Sequence, residues 1–106
     1  MLASEFERLA GVALRHLEQA LESSGADLDI ESKGDGMLEI EFANGGKLIV
    51  NRHGPAQEIW VAAKSGGFHF RWASGAWIDT RHGEELAVCV SKLIEQHSGQ
   101  HVELRI

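Results

Sequence analysis

The sequence has 106 residues, 43% of them hydrophobic and 25% charged, with one cysteine and a formal net charge of −6. That length suits a single domain, residues 1–106, and is too short for two cores; the composition excludes a disordered segment, and the negative charge argues against a nucleic acid or an anionic membrane as partner. Residues 1–41 carry ten acidic residues against three basic ones, a net −7, while the rest sums to +1, so one acidic face on an otherwise neutral domain is expected.

The N-terminus has neither a basic start nor an apolar signal core, and no later stretch is long enough to span a membrane, so the cytoplasm is the expected location. Ser4 and Glu7 have the spacing of a capping box, and Phe6, Leu9, Ala10, Ala13, Leu14, Leu17 and Leu21 recur at helical intervals. A first helix is predicted from about Glu5 to about Ser23, ended by Ser23-Ser24-Gly25. The period then changes to two. Leu28 and Ile30 alternate with Asp27, Asp29 and Glu31, and beyond the Gly34-Asp35-Gly36 turn Leu38, Ile40 and Phe42 alternate with Glu39 and Glu41.

Asn44-Gly45 predicts a tight turn into a third strand, Lys47 to Arg52, and Gly54-Pro55 interrupts the pattern before a fourth, Glu58 to Ala63. Turns at Ser65-Gly66-Gly67 and Ser74-Gly75 set off Phe68 to Trp72 and Ala76 to Ile78. Leu86, Cys89, Val90, Leu93 and Ile94 share a helical face, predicting a second helix from about Glu84 to about Gln96 and making Cys89 a buried small hydrophobe. Val102, Leu104 and Ile106 alternate with Glu103 and Arg105 in an extended tail. The predicted class is α+β, an α-β-α sandwich with two helices on one face of a six- or seven-stranded antiparallel sheet.

Glu18 and Glu22 lie on one helix face, and Asp27, Asp29 and Glu31 on one side of the first strand, so the two groups can form an acidic ridge. Carboxylates are hard ligands that suit iron and equally magnesium, calcium or manganese, so selectivity should be poor. An EF-hand is rejected, because Ser32 stands where its turn glycine belongs and Leu38 where its closing glutamate belongs. On the sheet, Leu48, Val50, Ile59, Val61, Phe68 and Phe70 are predicted inward, which sends Ile49, Asn51, Trp60 and His69 to the opposite face. An exposed Trp60 beside Asn51 and Gln57 suits a protein-binding hot spot, and removing it should then cost no more than about 0.5 kcal/mol of stability. The six histidines form no ligand motif of recognised spacing, and all but His69 are read as incidental. These residues by themselves lead to an acidic α+β domain and no further.

The succession Ser4-Glu5-Phe6, Asn44-Gly45, Ile49-Val50-Asn51-Arg52, Pro55, Gln57, Ile59-Trp60, Gly66-Gly67-Phe68-His69-Phe70, Trp77 and Gly83-Glu84 resembles the frataxin family, specifically its bacterial branch, along nearly the whole chain. The resemblance implies weak binding of ferrous or ferric iron and contact with the cysteine desulfurase at Glu18, Glu22, Asp27, Asp29 and Glu31, with Asn51, Gln57, Trp60 and His69 on a partner-binding sheet face, in docking on the desulfurase and scaffold protein of iron–sulfur cluster assembly. It implies a non-catalytic regulator and candidate iron donor, monomeric without metal; an iron-oxidising enzyme and a metal-independent acidic interaction module are the alternatives. Gln19, Ser23, Ser24 and Gly25 stand where the family often carries acids, which implies fewer or weaker iron sites here.

Overall fold

A computed structural model describes residues 1–34 and 36–104. Its elements are α1 (Ala3–Glu22), β1 (Leu28–Lys33), β2 (Met37–Phe42), β3 (Lys47–His53), β4 (Glu58–Ala63), β5 (Gly66–Ala73), β6 (Ala76–Asp79) and α2 (Leu86–Ser98). The strands form one six-stranded antiparallel meander in the order β1-β2-β3-β4-β5-β6, as hairpin-length connections require. The predicted Asp35, Arg105 and Ile106 positions lie outside the described residues.

Helix α1 buries Phe6, Ala10, Ala13, Leu14, Leu17 and Leu21, the stripe that its period of three and four requires. It begins earlier than the capping box implied. Leu2, in an extended conformation, precedes the helix without any side-chain cap, and its carbonyl accepts the Phe6 N–H at 3.0 Å, which leaves Ser4 inside the first turn. Helix α2 starts two residues later than Glu84, because the Glu84 carbonyl accepts the Asp79 N–H and Glu85 bridges Ile78 on β6. Gly99 ends it in the left-handed region at φ 76°, where glycine carries no Cβ penalty.

Both helices cover the face formed by Leu38, Ile40, Leu48, Val50, Ile59, Val61, Phe70 and Trp77, all buried. Val102 and Leu104 of the tail also enter this core, and Gln100 clamps the tail to the residue just before β1: its Oε1 accepts the Asp27 N–H at 2.6 Å and its Nε2 donates to the Asp27 carbonyl at 3.1 Å. In the last turn of α2, three residues before Gln100, His97 secures two turns. Its carbonyl accepts from Asn44 Nδ2 at 2.8 Å, and its Nε2 lies 3.0 Å from Ser65 Oγ.

Candidate functional site

The sheet face opposite the helices is built by the same alternation that makes the core. With Leu48, Val50, Ile59, Val61 and Phe70 directed inward, Ile49, Asn51, His53, Glu58, Trp60, His69 and Arg71 fall outward. Antiparallel register sets Asn51 opposite Trp60, Trp60 opposite His69, His53 opposite Glu58 and Glu58 opposite Arg71. These residues form one compact cluster. The Trp60 indole is sandwiched between the His53 ring, stacked at 3.7 Å between centroids, and the His69 ring, stacked at 4.6 Å.

Beneath the stack lies Glu58, only 5% exposed although it belongs to the solvent face. Its Oε1 accepts from Trp60 Nε1 at 2.8 Å and lies 3.3 Å from His69 Nδ1, while its Oε2 accepts from Arg71 Nε at 2.8 Å. A buried carboxylate is tolerated only when its lone pairs are filled in this way. Burial pushes the Glu58 carboxyl upward, but the hydrogen bonds from Trp60 and Arg71 and the charges of Arg71 and His69 together hold it below the usual carboxylate range. His53 is oriented from below by the Ala56 N–H, which donates to its Nδ1 at 3.2 Å.

A depressed carboxylate contributes stability that is present above its unfolded pKa and is lost as pH falls through its folded one. Glu58→Gln should therefore flatten the acid limb of the stability profile below about pH 4.3, the ordinary glutamate value. Chemical denaturation at a series of pH values checks this. Parallel acid limbs in the two proteins would show that Glu58 is not held as its geometry requires.

Gln57 does not join this cluster. It occupies the loop between β3 and β4 at φ 53°, and its side chain turns to the N-terminus, donating to the Met1 carbonyl at 2.9 Å. A left-handed backbone at this position, one residue before β4 begins, turns the side chain away from the place beside Trp60 that was expected of it. Trp60 itself is outward-facing but half-buried, so the expectation of a nearly costless removal is too low. Sequence reasoning missed His53, Glu58 and Arg71, although the parity that exposes Asn51, Trp60 and His69 applies equally two residues along each strand.

The acidic residues gather around β1, an edge of the sheet with β2 as its one neighbour. Glu18 and Glu22 stand on α1 in the helix layer, whereas Asp29 and Glu31 alternate with the core-directed Leu28 and Ile30 and so face the opposite side. Asp27 is exposed just before the strand. The predicted ridge is thus divided between the two sides of one edge, and among the described residues no three of its members converge as metal ligands.

Register also places Glu31 opposite Glu39 and Asp29 opposite Glu41, like-charge pairs that lysines offset. Glu39 meets Lys33 at 3.0 Å and Lys47 at 3.2 Å, and Glu31 meets Lys33 at 3.9 Å. Hydrogen bonds from both lysines hold the Glu39 carboxyl below its usual range. Glu18, Glu22, Asp27 and Asp29 have no such partner among the described residues. Charge on an open edge also discourages pairing with another chain. Cys89 is buried, and its thiol is pushed up to about 12, chiefly by burial and further by Glu84 and Asp79, which removes its nucleophilic character. No helix among the described residues is long and apolar enough to cross a membrane.

Residues 1–100 match the family model of the frataxin-like domain. The chain is 53% identical over 102 residues to the iron–sulfur cluster assembly protein CyaY of Dechloromonas aromatica, covering 96% of this chain and 97% of that protein. It is 44% identical over 104 residues to the protein of the same name from Paraburkholderia phymatum, covering 98% of each. Among solved structures, the frataxin of Psychromonas ingrahamii superposes with a TM-score of 0.91 at 36% identity, covering all of both chains, with coverage of 100% for each. Trimeric yeast frataxin complexed with ferrous iron superposes with a TM-score of 0.72 at 26% identity, covering 86% of each chain.

Proposed function

Because the chain belongs to the frataxin family, we propose that it serves iron–sulfur cluster assembly in the cytoplasm as a non-catalytic, iron-binding regulator and candidate iron donor that docks on the cysteine desulfurase and scaffold protein. The observation that carries the docking half is the fixed outward tryptophan. Trp60 stands on the solvent face, yet three neighbours hold it in one orientation, and a rigid aromatic anchor loses little freedom on binding.

The iron half rests on donor chemistry at the β1 edge and on the ferrous complex of the yeast relative. Glu18, Glu22, Asp27 and Asp29 present oxygen donors that no described cation engages, and Glu31 shares Lys33 with Glu39. Separate exposed carboxylates suit weak, exchangeable iron, with manganese or calcium as competitors. The absence of a convergent ligand group among the described residues favours, as a second reading, an acidic module that works through protein contacts alone.

Anaerobic titration of ferrous iron, with and without the desulfurase, separates the two. Neutralising Glu18, Glu22, Asp27, Asp29 and Glu31 together should weaken iron binding by about tenfold or more, since the remaining ligands cannot replace the lost charge. Stability should stay level or rise by about 0.5 kcal/mol, because the Glu18/Glu22 repulsion disappears and the exposed Glu31 to Lys33 pair is worth little. Unchanged iron affinity would remove these residues from the site, and a lowered thermal midpoint would refute the stability half.

A further inference from the structure

The Glu58 carboxylate engages Arg71 through Nε alone, at 2.8 Å. Among the described residues neither terminal nitrogen of that guanidinium has a hydrogen-bond partner, and the Arg71 side chain is 66% exposed. An arginine held at Nε is fixed in orientation while its two terminal amino groups keep the planar fork that matches a carboxylate. The register neighbours of Arg71 other than Glu58 are uncharged or weakly basic: Trp60 and His69 flank Glu58 on β4 and β5, Arg71 is paired with Ile78 on β6, and Thr80 donates its N–H to the His69 carbonyl. The oxygens of Glu58 are already occupied, and the exposed Glu85 stands one register position farther out, opposite Ile78 at an isolated bridge. Of the acids of the opposite half, Glu31, Glu39 and Glu41 are bracketed by Lys33 and Lys47, and Asp29 has no cation beside it among the described residues, so that edge stays net negative.

We propose that Arg71, anchored by Glu58, is a receptor for a carboxylate side chain of the docking partner, seated beside the Trp60 stack. This inference rests on the docking reading above. It adds the chemistry of the partner: an aspartate or glutamate adjacent to an apolar or flat group that covers the edge of the indole. Two charges of opposite sign on one face then give the protein a directional preference, since a partner acid is attracted at Arg71 and repelled at the β1 edge.

The test measures affinity for the purified cysteine desulfurase and scaffold complex at low and high salt, for the wild type, Arg71→Lys, the double variant Glu58→Gln with Arg71→Gln, and Trp60→Ala. The double variant leaves no buried charge unpaired, and Arg71→Lys keeps a cation over Glu58, so both retain the fold. The double variant should bind about tenfold more weakly at low salt, as loss of a charge-assisted bidentate contact implies, with a smaller salt dependence. Arg71→Lys should fall between it and the wild type. Wild-type binding by both Arg71 variants while Trp60→Ala binds weakly would overturn the carboxylate receptor and leave the docking face standing. Wild-type binding by all three would overturn the docking reading and the receptor together. Tighter binding by the double variant would show a basic partner surface and overturn the proposal.

Discussion

Trp60→Ala should lower the unfolding free energy by about 2 kcal/mol and weaken binding to the assembly complex by at least tenfold, roughly 1.4 kcal/mol or more. The stability loss has two sources. Two stacked ring pairs disappear, each worth about 0.5–1.5 kcal/mol, and Glu58 loses its Trp60 donor, which water replaces only in part. Solvent reaches the space vacated on the outer face, so the loss stays below the 3–5 kcal/mol typical of a core tryptophan. Urea denaturation together with an affinity measurement checks both halves. A stability loss within about 0.5 kcal/mol would mean that the stack and the Glu58 bond contribute nothing, as for an ordinary surface position. Undiminished affinity would remove Trp60 from the interface.

The largest loss of stability should follow Trp77→Ala, about 3–5 kcal/mol. Trp77 is 4% exposed and packs edge-on against Phe6 of α1, with centroids 5.9 Å apart, and against Trp72 of β5, 5.5 Å apart. It joins the first helix to the last two strands, so truncation opens the core where the helix layer meets the sheet. Its indole nitrogen has no acceptor among the described residues. A buried donor left unpaired costs about 1–3 kcal/mol, so Trp77→Phe, which removes that donor, should cost much less than Trp77→Ala, about 1 kcal/mol or under. Denaturant midpoints of the two variants give the comparison. A loss well above about 1 kcal/mol for Trp77→Phe would show that the nitrogen is satisfied and that removing it brings no relief.

Trp60 and Trp77 have similar local sequences, each flanked by apolar residues, yet opposite fates. For Trp60 strand parity gives the direction: Ile59 and Val61 point inward, which turns Trp60 out. Parity did not reveal how deeply an outward residue is covered. That depends on which rings lie across the neighbouring strands, and the His53 and His69 stacking follows from the register of β3 to β5 and not from spacing along the chain. Glu58 is the clearest case. In sequence it opens a strand as an ordinary polar residue, whereas in the fold its carboxylate is the centre around which Trp60, His69 and Arg71 are arranged.

The amino-acid sequence by itself determined the elements and their order, because the helical and strand periods, the Asn44-Gly45 turn and the Gly99 stop are local properties of the chain. It also determined the acidic character of the first forty residues and the family, whose motifs span the length of the chain. Tertiary structure alone decided where that charge goes. Helix and strand carboxylates that look continuous in sequence fall on opposite sides of the β1 edge, since a helix packed on one sheet face cannot share a surface with residues that point from the other. It likewise moved Gln57 away from Trp60, through a left-handed residue that no periodicity anticipates, and brought Glu58 and Arg71 together through antiparallel register. Local patterns specify which way a side chain points; contacts between strands specify what it meets.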